Sequence, residues 1–253
     1  MKQIPNIFTL MNLFLGCLAL VFILQPGLTV TTGEYGENLV QLPERITWAS
    51  LCILGAAIVD FLDGWVARWL KASSQLGAQL DSLSDVVSFG VAPAMIVYQF
   101  LRYSYAAQPD GLDVPEYYLL PAFLLPMAGA FRLARFNIEP PTRGHFSGLP
   151  IPAAGILIAT FPLVYWNSGS AWQIEMLRNQ WFWYGLILLC SYLMVSRIPL
   201  LAFKFSLQSD NRKSLSIVSF ILLVSAIGFW LLGWLGISIG WVAYLVVSLF
   251  NKK

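Results

Sequence analysis

The chain has 253 residues, of which 58% are hydrophobic, 15% aromatic and only 11% charged. Ordinary soluble domains carry about 25% charged residues, so a soluble enzyme, a disordered regulator and a conventional nucleic-acid binder are excluded. The composition indicates an integral membrane protein. Its 15 basic and 13 acidic residues nearly cancel, and the information lies in where they fall.

A bilayer core about 30 Å thick takes roughly 20 apolar residues per helix. In chain order, segments of this kind fall at 6–25, 46–64, 82–103, 117–135, 150–167 and 180–196, then in a closely spaced pair at 214–233 and 236–250. The expected fold is an all-α polytopic membrane protein, a bundle of about eight transmembrane helices counted as six clear spans plus a C-terminal pair. The chain reads as a single transmembrane domain over 1–253. The first segment is too long for a cleaved leader, is interrupted by Asn6, Thr9 and Asn12, and lacks a small-residue cleavage site; it reads as a retained helix. Residues 26–45 and 104–116 read as plain connectors. Cys17, Cys52 and Cys190 sit alone in apolar runs and read as small hydrophobes.

With the N-terminus in the cytoplasm and the spans alternating, twelve of the fifteen Lys and Arg fall on the cytoplasmic side. Only Arg45, Arg102 and Arg178 fall on the other. This bias predicts that both termini are cytoplasmic. Seven acids face outward, leaving six, and four of those stand together as Asp60, Asp63, Asp81 and Asp85.

Ionisable groups at such depth are costly and mark function by default. On a helix Asp60, Asp63, Gly64 and Ala67 form one stripe, while Asp81 and Asp85 are i and i+4 on the next, with Ser84 and Ser88 beside them. Two antiparallel helices with a short turn would aim four carboxylates into one pocket, with Arg68 as the close cation. Divalent cations relieve such repulsion, and oxygen-only ligands suit Mg²⁺ or Mn²⁺ rather than Zn²⁺. A helix-start charge cluster with Asp81 as a cap is the plainer alternative. A cation transporter is another, although these acids lie near one face and no repeat accompanies them.

The stretch from Asp60 to Asp85 satisfies D-x2-D-G-x2-A-R-x8-G-x3-D-x3-D at Asp60, Asp63, Gly64, Ala67, Arg68, Gly77, Asp81 and Asp85. It resembles the signature of the CDP-alcohol phosphotransferases. Two further stretches, Ile4 to Asn12 and Phe131 to Asn137 with Phe146 to Ala154, resemble the membrane-embedded branch of that family that uses serine. The resemblance covers about residues 1–165, the expected active-site core; the helices at about 180–250 carry no motif.

The resemblance implies transfer of a phosphatidyl group from CDP-diacylglycerol, a membrane lipid, to the hydroxyl of L-serine, with release of CMP. Glycerol 3-phosphate, an inositol phosphate or an amino alcohol are alternative acceptors. Two Mg²⁺ or Mn²⁺ ions would clamp the pyrophosphate, held by Asp60, Asp63 and Asp81 with Asp85 shared. Asp85 would be the general base. Gly64, Ala67, Arg68 and Ser74 would lie against the CDP moiety, and Asn6 and Thr9, one turn apart on the first helix, are expected to touch the same group. A serine carboxylate calls for an arginine: Arg132 and Arg135 are the candidates, with Asn137 and Ser147 behind them. His145, the sole histidine, reads as a loop residue. A homodimer in the cell's inner or plasma membrane, with a cytoplasmic active site, completes what the family resemblance implies.

Overall fold

The computed structural model describes residues 4–25, 27–32, 38–70, 74–108, 111, 114–138, 145–167, 170–201 and 223–250. It is an all-α polytopic membrane protein. Among the described residues, four helical stretches are long and apolar enough to cross a bilayer: Pro5–Leu24, Ile46–Val66, Gln75–Ala106 and Glu116–Ile138. Four shorter apolar helices join them, Ile151–Asn167, Gln180–Val195, Leu223–Leu232 and Leu235–Ser248. The expected count of about eight is therefore met, with half of the helices shorter than a full span.

Helix α1 (Ile4–Leu24) packs along α2 (Ile46–Trp69). Between them, β1 (Thr29–Thr32) and β2 (Asn38–Gln41) form an antiparallel hairpin, where the sequence suggested only a connector. The β-branched run Thr-Val-Thr-Thr favours extended backbone.

The third span begins at residue 75, seven residues before its expected start. Ser74 is the reason: its side chain accepts from the Gly77 N–H at 3.0 Å and caps α3 (Gln75–Asp85), satisfying one of the free donors of a helix start. Asp81 is consequently mid-helix rather than a cap. The rod continues through a π-helical segment, Val86–Val91, into α4 (Ala92–Ala106). Such widenings of a helix recur at functional sites.

The fourth span starts as two 3₁₀ turns, Glu116–Tyr118 and Leu120–Phe123, before α5 (Leu124–Ile138). Pro121 lacks an N–H and so suits a first turn. Next come β3 (His145–Ser147), α6 (Ile151–Asn167), a short α7 (Ala171–Arg178) that the hydropathy did not signal, and α8 (Gln180–Val195). Strand β4 (Pro199–Leu201) pairs with β3, so that Ser147 opposes Pro199. Gly148 then turns with φ +79 against the last carbonyls of α8, a conformation open to glycine. The C-terminal pair is α9 (Leu223–Leu232) and α10 (Leu235–Phe250); the 214–222 part of the first expected segment lies outside the described residues.

Candidate active site

Asp60 and Asp63 are one turn apart near the end of α2, and Asp81 and Asp85 one turn apart on α3. The ends of the two helices bring the pairs together. Asp60, Asp63 and Asp81 each offer a carboxylate oxygen, and the three oxygens lie within 4.8 Å of one another. Asp85 is as buried as Asp63, each 7% exposed, and lies within Coulombic reach of the other three. One oxygen of Asp81 is buried without a hydrogen-bond partner. An oxygen-only cage with an unsatisfied lone pair is the donor set that a hard divalent cation fits.

Helix α1 holds this arrangement in place. The Thr9 hydroxyl donates to Asp63 Oδ2 at 2.9 Å, with the Pro5 carbonyl as its alternative acceptor at 3.2 Å. The Asn12 amide donates to Asp85 Oδ1 at 3.3 Å. In return α3 and the π-helical segment after it grip the α1 backbone: Ser84 donates to the Thr9 carbonyl at 3.0 Å, and Ser88 to that of Asn12 at 2.9 Å. Ser88 lies so close to Gly16 that a Cβ there would collide with it. That close approach is what glycine permits.

Asn12 escaped the sequence reading as a site residue. It completes a polar stripe with Asn6 and Thr9 at every third position of an otherwise apolar helix, and this periodicity was the signal for it. Asn6 is half-buried with its Oδ1 over Gly77, where a Cβ would sit 3.1 Å away. Gly64 is the opposite case: a Cβ there would meet nothing within 4 Å, so α2 presents open space next to the carboxylates. Ser74, expected at the nucleotide, serves as the α3 cap. The backbones of Ala67 and Arg68 lie in the last turns of α2; their side chains, and that of Ser147, are outside the described residues.

The two arginines part company. Arg132 is buried, 6% exposed, its Nε has no hydrogen-bond partner, and Asp85 is within electrostatic reach. Arg135 instead donates to the carbonyls of Val195 at 3.0 Å and Ser196 at 3.4 Å, binding the C-terminal end of α8, where the helix dipole favours a cation. Asn137 donates to Ser82 Oγ at 2.9 Å and ties α5 to α3. Among the described side chains, Arg132 is the arginine of this pair that lies within electrostatic reach of a carboxylate, that of Asp85.

A family model for CDP-alcohol phosphatidyltransferase matches residues 2–190. A CDP-diacylglycerol–serine O-phosphatidyltransferase of Helicobacter pylori (strain J99) is 30% identical over 98% of this chain and 95% of its own. One of Bacillus subtilis is 33% identical over 65% of this chain and 78% of its own. An archaetidylserine synthase of Methanothermobacter thermautotrophicus is 35% identical over 53% of this chain and 54% of its own. The match takes in α1, the four aspartates and Arg132 in one run, and the chain belongs to the CDP-alcohol phosphatidyltransferase family.

Proposed function

We propose that this enzyme transfers a phosphatidyl group from CDP-diacylglycerol to the hydroxyl of L-serine, giving phosphatidylserine and CMP. The observation that carries this reading is the carboxylate cluster of Asp60, Asp63 and Asp81, with the buried Arg132 within electrostatic reach of Asp85. The names of the relatives support the choice of serine.

Asp60, Asp63 and Asp81, with Asp85 shared, would hold Mg²⁺ or Mn²⁺, two ions by the needs of a pyrophosphate. When bound, the ions neutralise the diphosphate and the departing phosphate. Thr9 and Asn12 orient Asp63 and Asp85 before the substrate arrives, so little reorganisation is left for the reaction. The open face at Gly64 takes the cytidine diphosphate, with Ala67, Arg68 and Asn6 as the further contacts expected for it.

Arg132 binds the serine carboxylate and aims the hydroxyl at the lipid-bearing phosphorus. Asp85 accepts the hydroxyl proton as the serine Oγ–P bond forms. The P–O bond to the CMP phosphate breaks, and CMP leaves with that electron pair. No covalent enzyme intermediate is needed. Both termini and the site face the cytoplasm in this reading, in the inner or plasma membrane, and the enzyme works as a homodimer. Positive-inside bias and family membership support these points.

The test is purified protein given CDP-diacylglycerol, Mg²⁺ or Mn²⁺, and labelled serine, glycerol 3-phosphate or inositol phosphate in parallel. CMP release with serine alone is expected. Release only with a phosphorylated acceptor overturns the serine reading, and full activity after exhaustive chelation overturns the cation assignment.

A further inference from the structure

The buried line of α1 runs through Pro5, Thr9, Asn12, Gly16, Ala19 and Ile23. At its centre Asn12 is engaged twice by the rod that follows α2. Its Nδ2 donates to Asp85 Oδ1 at 3.3 Å, and its backbone carbonyl accepts from Ser88 Oγ at 2.9 Å. Inside a helix that carbonyl also takes the N–H of the residue four further on, which is Gly16. Ser88 therefore reaches it only by coming in over Gly16. The approach is close: a Cβ on Gly16 would stand 2.8 Å from Ser88 Cα and 3.0 Å from Ser88 Cβ. Part of that obstacle is main chain, which cannot swing aside as a flexible side chain would.

Ser88 belongs to the π-helical segment Val86–Val91, which begins directly after Asp85. The segment is hemmed in from α6 as well, where a Cβ on Gly155 would stand 2.9 Å from Phe89 Cβ and 3.0 Å from Phe89 Cα. Interiors packed this tightly transmit small displacements instead of absorbing them. The Asn12–Asp85 bond is the one exposed to such a displacement. At 3.3 Å it already lies at the long end for an N–H···O bond, so parting the helices by a few tenths of an ångström breaks it. The Thr9–Asp63 bond, at 2.9 Å, has slack, and Thr9 lies about 10 Å along α1 from Gly16 by helical rise.

We propose that Gly16 is a positioning residue for the transfer step. The space it leaves lets Ser88 lock α1 at the register where the Asn12 amide occupies Asp85 Oδ1, and Oδ2 is thereby kept for the acceptor's proton. This rests on the reading of Asp85 as the general base.

The experiment follows CMP release by the full chain in nanodiscs with CDP-diacylglycerol, serine and Mn²⁺. Gly16→Ala is expected to lower kcat about tenfold, the scale of a misplaced catalytic group, and to leave the KM for CDP-diacylglycerol unchanged. Ser88→Ala meets no steric obstacle and loses only the tie to the Asn12 carbonyl, so kcat should fall about threefold. Asn12→Ala should lower kcat at least as far as Gly16→Ala. In that background neither Gly16→Ala nor Ser88→Ala lowers kcat further, because all three act through one hydrogen bond; both still lower the melting temperature. A wild-type kcat in Gly16→Ala, the same loss again on top of Asn12→Ala, or a raised KM for the CDP-lipid means that the glycine serves packing alone and overturns the inference. If Gly16→Ala does not fold, Ser88→Ala, alone and with Asn12→Ala, carries the same test. Near-normal turnover in Asp85→Asn defeats the underlying base reading instead, so the two failures are told apart.

Discussion

Where α4 ends, the bundle is closed by aromatic rings. Phe100 stacks on Trp183 with centroids 4.6 Å apart, Tyr103 meets Tyr165 edge-on at 5.3 Å, and the Trp183 Nε1 donates to the Leu177 carbonyl at 2.8 Å. Tyr105 and Tyr184 share a hydrogen bond of 2.9 Å, and Ser104 donates to the Phe100 carbonyl at 2.8 Å. About 30 Å along the same rod, by helical rise, the carboxylate end is built on the contrary plan. Like charges converge there, and Asn12 Oδ1, Asp81 Oδ1 and Arg132 Nε are buried without partners. One end holds the helices together through ring packing and paired hydroxyls; the other keeps buried polar atoms unmet among the described residues. Stability and chemistry are segregated along a single helix.

That segregation is open to attack at both ends. The largest expected effect is at the carboxylate end. Asp85→Asn should lower turnover by about 10²- to 10⁴-fold, the usual weight of a general base, while CDP-lipid binding persists. Its melting temperature in chelator should hold or rise, because one of several crowded charges is gone. Near-normal CMP release removes Asp85 from the base role.

Trp183→Ala attacks the other end. It should cost about 3–5 kcal/mol of stability, measured by denaturation in detergent, while the folded fraction keeps the wild-type KM for both substrates. A large change in either KM would mean that the two ends are coupled. Gly64→Ala comes next. A methyl group there displaces nothing in the protein and removes a helix-weakening glycine worth up to about 1 kcal/mol, so the melting temperature should not fall. The KM for CDP-diacylglycerol should rise about tenfold, equivalent to about 1.4 kcal/mol of binding. Unaltered kinetics would mean that the nucleotide lies elsewhere.

The smallest effect is expected at Ser74. Ser74→Ala should cost about 1 kcal/mol through the lost cap, and Ser74→Asp should restore it. If Ser74→Asp instead abolishes nucleotide binding while the protein stays stable, the hydroxyl contacts the substrate as well as the helix.

The aspartates were legible in the sequence because helical periodicity alone aligns i, i+3 and i+4. Only a short turn was then needed to bring the two pairs together. The α3 start was not legible from hydropathy, since Gln75 to Asp81 is polar and the cap at Ser74 sets the boundary. Arg132 and Arg135 show the limit more sharply. Their spacing puts them on one side of α5, and nothing local says that one is buried within electrostatic reach of Asp85 while the other binds the end of α8. That division depends on where α8 stops, a tertiary matter.

The mutual grip between α1 and α3 has a consequence for assembly. Helix α1 precedes the carboxylate helices in the chain, so during synthesis it is made first. The Thr9 and Asn12 side chains, with their own carbonyls, are in place when Asp63, Ser84, Asp85 and Ser88 arrive to meet them. The segment that contributes no carboxylate is thus a template laid down before the parts it arranges. Damage to it should surface as misassembled carboxylates long before it surfaces as a missing helix.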